Sequence, residues 1–354
     1  MTDINAAAAM PWLDGPLRQT LAGTHAHALL IRGPSGVGQF ELALALAAAW
    51  LCENDKLPLG ERPCGTCAGC RLIAARSHPD LVVVLPDALR ESLGWSPGAE
   101  GEEGGEGSSK KKPSREIRVE AVRAAIEFAT TTSARGRGKF LVVHPAERMN
   151  PIAANAFLKT LEEPAGAARF LLCTAAPDRL LPTILSRCQT VMLSVPPRDQ
   201  AEAWLASRGI DQPAVLLAAS GGQPEEAIEL AARGVDAKTW LGLPARVLRG
   251  EGSAFQRWPL PLVVETLQKL CHDALSVACG ATPRYFPGKS LAGPSDPVAL
   301  LRWSRELARL ADSAAHPWSL DLAVENLVEQ SREALKTTRS PSRVDKALSL
   351  NSPR

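Results

Sequence analysis

The run His27-Ala-Leu-Leu-Ile-Arg32 is short and apolar, the pattern of a buried strand, and it passes directly into Gly33-Pro-Ser-Gly-Val-Gly38. Gln39 to Leu51, rich in Ala and Leu, reads as the helix that follows. Leu81-Val-Val-Val-Leu85, Lys139-Phe-Leu-Val-Val143 and Arg169-Phe-Leu-Leu-Cys-Thr174 repeat the buried-strand pattern. Between the second and third runs, Val119, Val122 and Ile126 recur at helical spacing, with Arg118 and Arg123 on the opposite face. Asn150-Pro151 offers an N-cap and a first-turn proline to a helix carrying Ala154, Phe157, Leu158 and Leu161 on one face and ending before Pro164. Strands alternating with helices predict a mostly parallel sheet with helices on both faces. Beyond Pro196-Pro197 no strand pattern follows. Short helical patterns flank Gly221-Gly222, and longer ones, such as Leu260, Val264, Leu267, Cys271 and Leu275, fill 238 to 336. The expected organisation is an α/β domain over 1–195, a small helical domain over 196–236, an all-α domain over 237–336 and a flexible tail over 337–354.

Composition alters this picture in one place. The chain has 354 residues, 45% of them apolar and 22% charged, which suits two or three globular domains. From Glu91 to Gly107, however, there are five Glu, six Gly and no basic residue, followed by Lys110-Lys111-Lys112. Such a stretch buries too little apolar surface to order itself, so a mobile insertion is expected over about 91–112. The formal charge of +2 excludes a histone-like protein, and any contact with nucleic acid must use a local patch. Arg115, Arg118, Arg123, Arg135, Arg137 and Lys139 could line a groove along a phosphate backbone, although a solvated helix face and a basic loop explain them equally well. No apolar run reaches membrane-spanning length, and MTDINAAAAMPW lacks a basic segment ahead of an apolar one, so a cytoplasmic protein is expected. Trp258, Trp303 and Trp318 sit at packing positions, and His25, His27, His144 and His272 have no catalytic partner at a motif spacing.

A reducing compartment makes metal the leading explanation of Cys64-x-x-Cys67-x-x-Cys70. Cys52 supplies a fourth thiolate for a closed tetrahedral site, which means structure and not catalysis. Ala74-Ala75 stand where an iron–sulfur pattern wants a further cysteine, so zinc is the expected ion, one per chain, with His78 the alternative ligand to Cys52. Cys173, Cys188, Cys271 and Cys279 read as small core residues.

A working phosphate-binding loop reads GxxxxGK[ST]: its amides approach the phosphates, its lysine neutralises them and its hydroxyl ligates magnesium. Here Gly33, Pro34, Ser35, Gly36, Val37 and Gly38 keep the backbone requirements, but Gln39 and Phe40 replace the two chemical groups. The third strand ends at His144-Pro145, where an aspartate normally helps hold the metal. These losses predict a loop that neither hydrolyses ATP nor holds it, and a plain glycine turn accounts for the six residues as well.

Ala146 to Pro164, with the sequence AERMNPIAANAFLKTLEEP, together with Thr174 and Leu185-Ser186-Arg187-Cys188, resembles the core of clamp-loader subunits of the AAA+ family, which serve bacterial DNA polymerase III. The resemblance runs from about residue 20 to 230 by motifs and to about 335 by helical content. It implies an AAA+ α/β domain, a helical lid and an all-α collar. It places Thr174 at the sensor-one position and makes Arg187 an arginine finger offered in trans to an adjacent ATPase subunit. A surface arginine pairing with a nearby acid is the plain alternative. At the sensor-two position Gly221-Gly-Gln-Pro-Glu-Glu-Ala227 holds no arginine. The implied partners are gamma or tau and delta subunits in a hetero-pentamer, and through them the sliding clamp and primed-template DNA. The zinc module also has a counterpart in that family. The chain itself is then expected to catalyse nothing, its enzymatic context being the polymerase complex. Two rival readings are an active clamp-loader ATPase and a zinc-containing single-stranded DNA-binding protein.

Overall fold

The structure, a computed structural model, describes residues 10–23, 26–90, 92–95, 113–256, 258–287, 290–291, 295–313 and 320–335. The predicted acidic insertion apart from 92–95, the predicted tail, His25 and Trp318 lie outside the described residues. The chain divides into two compact units, Met1–Gln200 and Ala201–Arg354.

The first unit contains, in order, helix α1 (Asp14–Gly23), strand β1 (Ala28–Arg32), α2 (Gln39–Leu51), α3 (Ala68–Ala74), β2 (Leu81–Val84), α4 (Val119–Thr130), β3 (Lys139–Val143), α5 (Pro151–Glu162), β4 (Ala168–Thr174) and β5 (Gln189–Met192). The strands form one parallel sheet in the order β2-β3-β4-β1-β5. The four apolar runs become its first four strands. They carry nearly continuous apolar sequence because helices cover both sides, leaving no solvent face to alternate toward. The fifth strand carries no such run: Gln189, Thr190 and Met192 are exposed, since it closes one edge of the sheet.

One face of the sheet is covered by α2. Twelve of its thirteen residues are buried, which is why it is written in Ala and Leu all round and not as a stripe. The other face receives α4 and α5, where Val122, Ala125, Phe157 and Leu161 pack on Phe170 and Leu172. Phe157 meets Phe170 edge-on at 5.4 Å between ring centroids. α5 starts where predicted: Asn150 Oδ1 accepts the Ala153 amide at 2.8 Å, and Pro151 opens the first turn.

This topology positions the site. β1 lies between β4 and β5, with Arg32 opposite both Thr174 and Met192. The loops leaving β1, β3 and β4 therefore converge at the carboxyl edge of the sheet, where ligands of open α/β sheets bind.

Past the sheet the chain is helical: α6 (Arg198–Ser207), which crosses the boundary between the units, then α7 (Pro213–Ala219), α8 (Pro224–Ala232), α9 (Ala237–Leu248), α10 (Leu260–Ala278), α11 (Pro297–Ser313) and α12 (Leu320–Leu335). Leu230, Trp240, Leu267, Trp303 and Val328 share one core cluster in the second unit. Trp258 and Trp303 are buried, as their packing positions predicted. Asp273, fully buried on α10, accepts the amides of Arg284, Tyr285 and Phe286 at 2.8, 2.7 and 2.7 Å and so fixes the loop after α10. Among the described residues no helix is long and apolar enough to cross a membrane.

One expectation about the cysteines is corrected. Cys173 and Cys271 are buried and Cys188 half-buried, but Cys279 is exposed. It caps the C-terminus of α10, just before Gly280 turns the chain at φ +78°, and so lies outside the packed face of that helix.

Candidate functional site

Residues 33–40 join β1 to α2. Gly36 and Gly38 have φ of +68° and +97°, and a Cβ on Gly38 would lie 2.8 Å from Met10 Sδ and 2.9 Å from Leu13 Cδ1. Only glycine fits there. The preceding segment packs beneath the loop: Trp12 Nε1 donates to Val37 O at 2.9 Å, and Val37 is fully buried. Gly33 is pinned on its other side, where a Cβ would meet Leu193 O at 2.5 Å. The β1–α2 loop thus keeps glycines where the phosphate-loop pattern requires them.

Its chemistry has been turned inward. Gln39 is buried, and its Nε2 donates to Gly33 O at 2.9 Å and Pro34 O at 2.6 Å, tying the carboxamide to the loop itself. Phe40 stacks on His144 with ring centroids 4.9 Å apart. The position of the missing hydroxyl and that of the missing acid are therefore filled by one another. Burial lowers the His144 pKa to about 4, so the ring is neutral at physiological pH, and its Nδ1 has no partner among the described residues. Thr174 Oγ1 accepts the Ala176 amide at 3.1 Å, and Glu147 Oε1 accepts the Ala175 amide at 3.1 Å. The end of β4 is braced by its own loop and by the first acid after β3.

Arg187 follows the helical turn Pro182–Leu185. Its Nε donates to Glu162 Oε1 at 2.7 Å, its Nη2 reaches the same oxygen, and its Nη1 donates to Thr183 O at 2.9 Å and Ser186 Oγ at 3.3 Å. Glu162 is the last residue of α5, 25 positions earlier, and nothing in the sequence flags it as a partner. In the second unit Arg284 was missed in the same way: its Nη2 donates to Gly221 O at 2.9 Å, bringing an arginine to a turn whose own residues contain none.

The cysteine module lies between α2 and β2. Cys52 caps α2, Cys67 caps α3, and the Sγ atoms of Cys52, Cys64, Cys67 and Cys70 all lie within 4.8 Å of one another. Cys67–Cys52 is 3.9 Å and Cys64–Cys70 is 4.0 Å. A tetrahedron with metal–sulfur bonds of about 2.3 Å has edges of about 3.8 Å, so the four thiols fit one ion. Backbone amides support the sulfurs: those of Glu53 and Cys70 donate to Cys67, that of Cys64 to Cys52, and that of Cys67 to Cys64, all at 3.3 to 3.4 Å. His78 stands outside the group; its Nδ1 accepts the Asp80 amide at 3.1 Å. Cys52, and not His78, completes the cluster.

The basic loop before β3 docks on this module. Arg135 pairs with Glu53, Arg137 with Asp55 at 2.6 Å, and Arg62 with Asp55 at 3.1 Å. Arg118 pairs with Asp87 at 3.6 Å. Four of the six basic residues considered for a phosphate groove, counting Lys139 below, are thus held in ion pairs. Asp80 anchors the loop. Fully buried, it accepts Ser133 Oγ at 3.0 Å and the amides of Ala134 and Arg135 at 2.7 and 2.8 Å, and it pairs with Lys139 Nζ at 3.2 Å. Burial alone would raise its pKa, but the amides, the hydroxyl and the lysine together pull it below the usual carboxylate range. The stabilisation is therefore complete above the unfolded-state pKa of about 3.9 and is lost as the pH falls through the folded value. Asp80→Ala, which leaves Lys139 buried and unpaired, should cost about 3 to 5 kcal/mol in urea denaturation at neutral pH. A cost below about 1 kcal/mol would contradict this anchoring.

A five-stranded parallel sheet with a glycine loop at its carboxyl edge, followed by helices, agrees with the AAA+ clamp-loader architecture that the sequence led us to expect. The family described as DNA polymerase III, delta subunit, matches residues 17–197. The DNA polymerase III subunit delta prime of Pseudomonas aeruginosa is 40% identical over 215 residues, 60% of this chain and 57% of that protein. The delta prime subunit of Escherichia coli is 31% identical over 281 residues, 73% of this chain and 76% of that protein. A solved gamma subunit-related protein from Thermotoga maritima has 19% identity and a TM-score of 0.49, with 92% of this chain and all of that one covered. The chain belongs to the delta prime family of DNA polymerase III.

Proposed function

We propose that this chain is a non-hydrolysing subunit of a clamp loader, supplying Arg187 to the nucleotide site of an adjacent gamma- or tau-type ATPase. The observation that carries the first half is the inward-turned loop: Gln39 is spent on the loop carbonyls, and Phe40 and His144 occupy each other's approach. A phosphate arriving there would find the loop amides but not the motif lysine and hydroxyl, replaced by Gln39 and Phe40, nor the strand-end aspartate, replaced by His144. The second half rests on Arg187 and its motif. A guanidinium reaching across a subunit boundary stabilises the charge that spreads over the transferred phosphoryl oxygens, so a subunit without turnover can still accelerate its neighbour.

In this reading 196–236 form a lid and 237–336 a collar that packs with the other subunits, delta included, in a hetero-pentamer. That assembly places the sliding clamp on primed-template DNA. The four cysteines hold one structural zinc, which keeps Glu53 and Asp55 in place for Arg135 and Arg137. The enzymatic work is that of the polymerase complex.

The purified full chain should bind no ATP in calorimetry at concentrations up to about 1 mM and should hydrolyse none. Gln39→Lys should leave turnover at zero, because the hydroxyl and acid stay absent. Sustained turnover by the unmodified chain would favour the active-ATPase reading.

A further inference from the structure

We propose that Glu162 is a positioning residue that stows Arg187 until a nucleotide-bearing neighbour docks. This rests on the arginine-finger reading and adds the control of that finger.

A guanidinium has five N–H groups, and clamping two phosphoryl oxygens takes two of them in a fork. Arg187 has four committed within its own chain. Nε and Nη2, which form one fork, both go to Glu162 Oε1. Nη1 goes to Thr183 O and Ser186 Oγ, which closes the end-on fork as well. One N–H of Nη2 is left. The arrangement holds the finger in place but cannot deliver it. A carboxylate on the same edge also neutralises the charge that the neighbour's phosphates would use, and it would repel them if it stayed.

Opening requires only that Glu162 let go. The two side chains are 31% and 48% exposed, so water solvates both when they part, and an exposed pair of this kind holds its partners weakly. Thr183 O and Ser186 Oγ remain to aim Nη1 after release. Glu162 also ends the helix whose first turn follows the β3 loop with His144 and Glu147, so the stowing residue and the inactivated site are joined by one rigid element.

The test uses the full chain in a reconstituted complex with its ATPase partners, carrying Glu162→Gln, Glu162→Asp, Arg187→Ala or Glu162→Gln with Arg187→Ala. Glu162→Gln should raise ATP turnover without DNA by about two- to five-fold, the range an exposed ion pair allows, and leave the DNA-saturated rate within about two-fold. Glu162→Asp should keep the low resting rate, and the gain should vanish in the double variant. A second readout needs no partner: phenylglyoxal modification of Arg187 in the isolated chain, followed by mass spectrometry, should be about two- to five-fold faster in Glu162→Gln. A fall in turnover matching that of Arg187→Ala would make Glu162 a fixed part of the finger and overturn stowing, as would unchanged phenylglyoxal reactivity. Full turnover by the Arg187→Ala complex would remove the finger reading itself, and the phenylglyoxal rates would then decide alone whether Glu162 shields the guanidinium.

Discussion

Replacing Arg187 with alanine is expected to slow ATP hydrolysis at the neighbouring site by about 10³-fold or more, the range found for arginine fingers of other nucleotide hydrolases. In a complex with several ATPase sites this appears as the loss of one site's share of the DNA-stimulated rate. Folding of the chain should be little affected, because among the described residues Arg187 makes a surface ion pair with Glu162, worth about 1 kcal/mol or less, and two bonds to its own turn. Size-exclusion chromatography of the complex therefore separates the two effects. Arg187→Lys should recover only a small part of the rate, since an ammonium keeps the charge but lacks the planar fork. Unchanged hydrolysis in an intact Arg187→Ala complex would leave the residue as the surface arginine that its pairing alone suggests.

Breaking the cysteine cluster should have the largest effect on the chain itself. Four sulfurs within 4.8 Å fit one ion, and metal analysis should find one zinc per chain. Cys64→Ser or Cys67→Ser, or exhaustive chelation, should cost about 3 to 5 kcal/mol, because binding energy at a structural site is folding energy. For a unit of about 200 residues that corresponds to a drop in melting temperature of roughly 10 °C. The loop 133–138 should loosen in the same step, since Glu53 and Asp55, which hold Arg135 and Arg137, follow Cys52 directly. Protease cleavage at Arg135 or Arg137 after metal removal is a direct sign of it. Iron in place of zinc, or stability indifferent to chelation, would contradict the assignment.

The sheet was legible in the sequence wherever burial on both faces wrote long apolar runs. β5 was not, because Gln189–Met192 lies on the sheet edge and three of its four side chains face solvent. α3 was hidden by its setting, seven residues whose N-cap is a cysteine of the cluster. The cysteine spacing announced its cluster, and the glycine spacing announced a loop that only glycine can make at Gly36 and Gly38. What sequence could not supply were the partners. That Phe40 finds His144 and that Glu162 holds Arg187 depend on strand order, which brings together residues more than 100 and 25 positions apart, while Gln39 turning onto the carbonyls of its own loop is a local contact that no residue pattern announces. The same holds for Arg284 beside Gly221 and for Asp80 beneath residues 133–135. Cys279 shows the converse limit: it was read as a small core residue, but the helix ends just before it and leaves it exposed.

In the proposed function this chain lends an arginine and does no hydrolysis of its own. The most direct measurement is ATP turnover as the full chain is added to gamma- or tau-type and delta-type subunits with primed DNA, after co-purification establishes the complex. Turnover should be zero for the chain alone, rise on its addition to the partners, and rise less, by one site's share, when it carries Arg187→Ala. Turnover by the chain alone, or an equal rise with the alanine variant, would contradict the account.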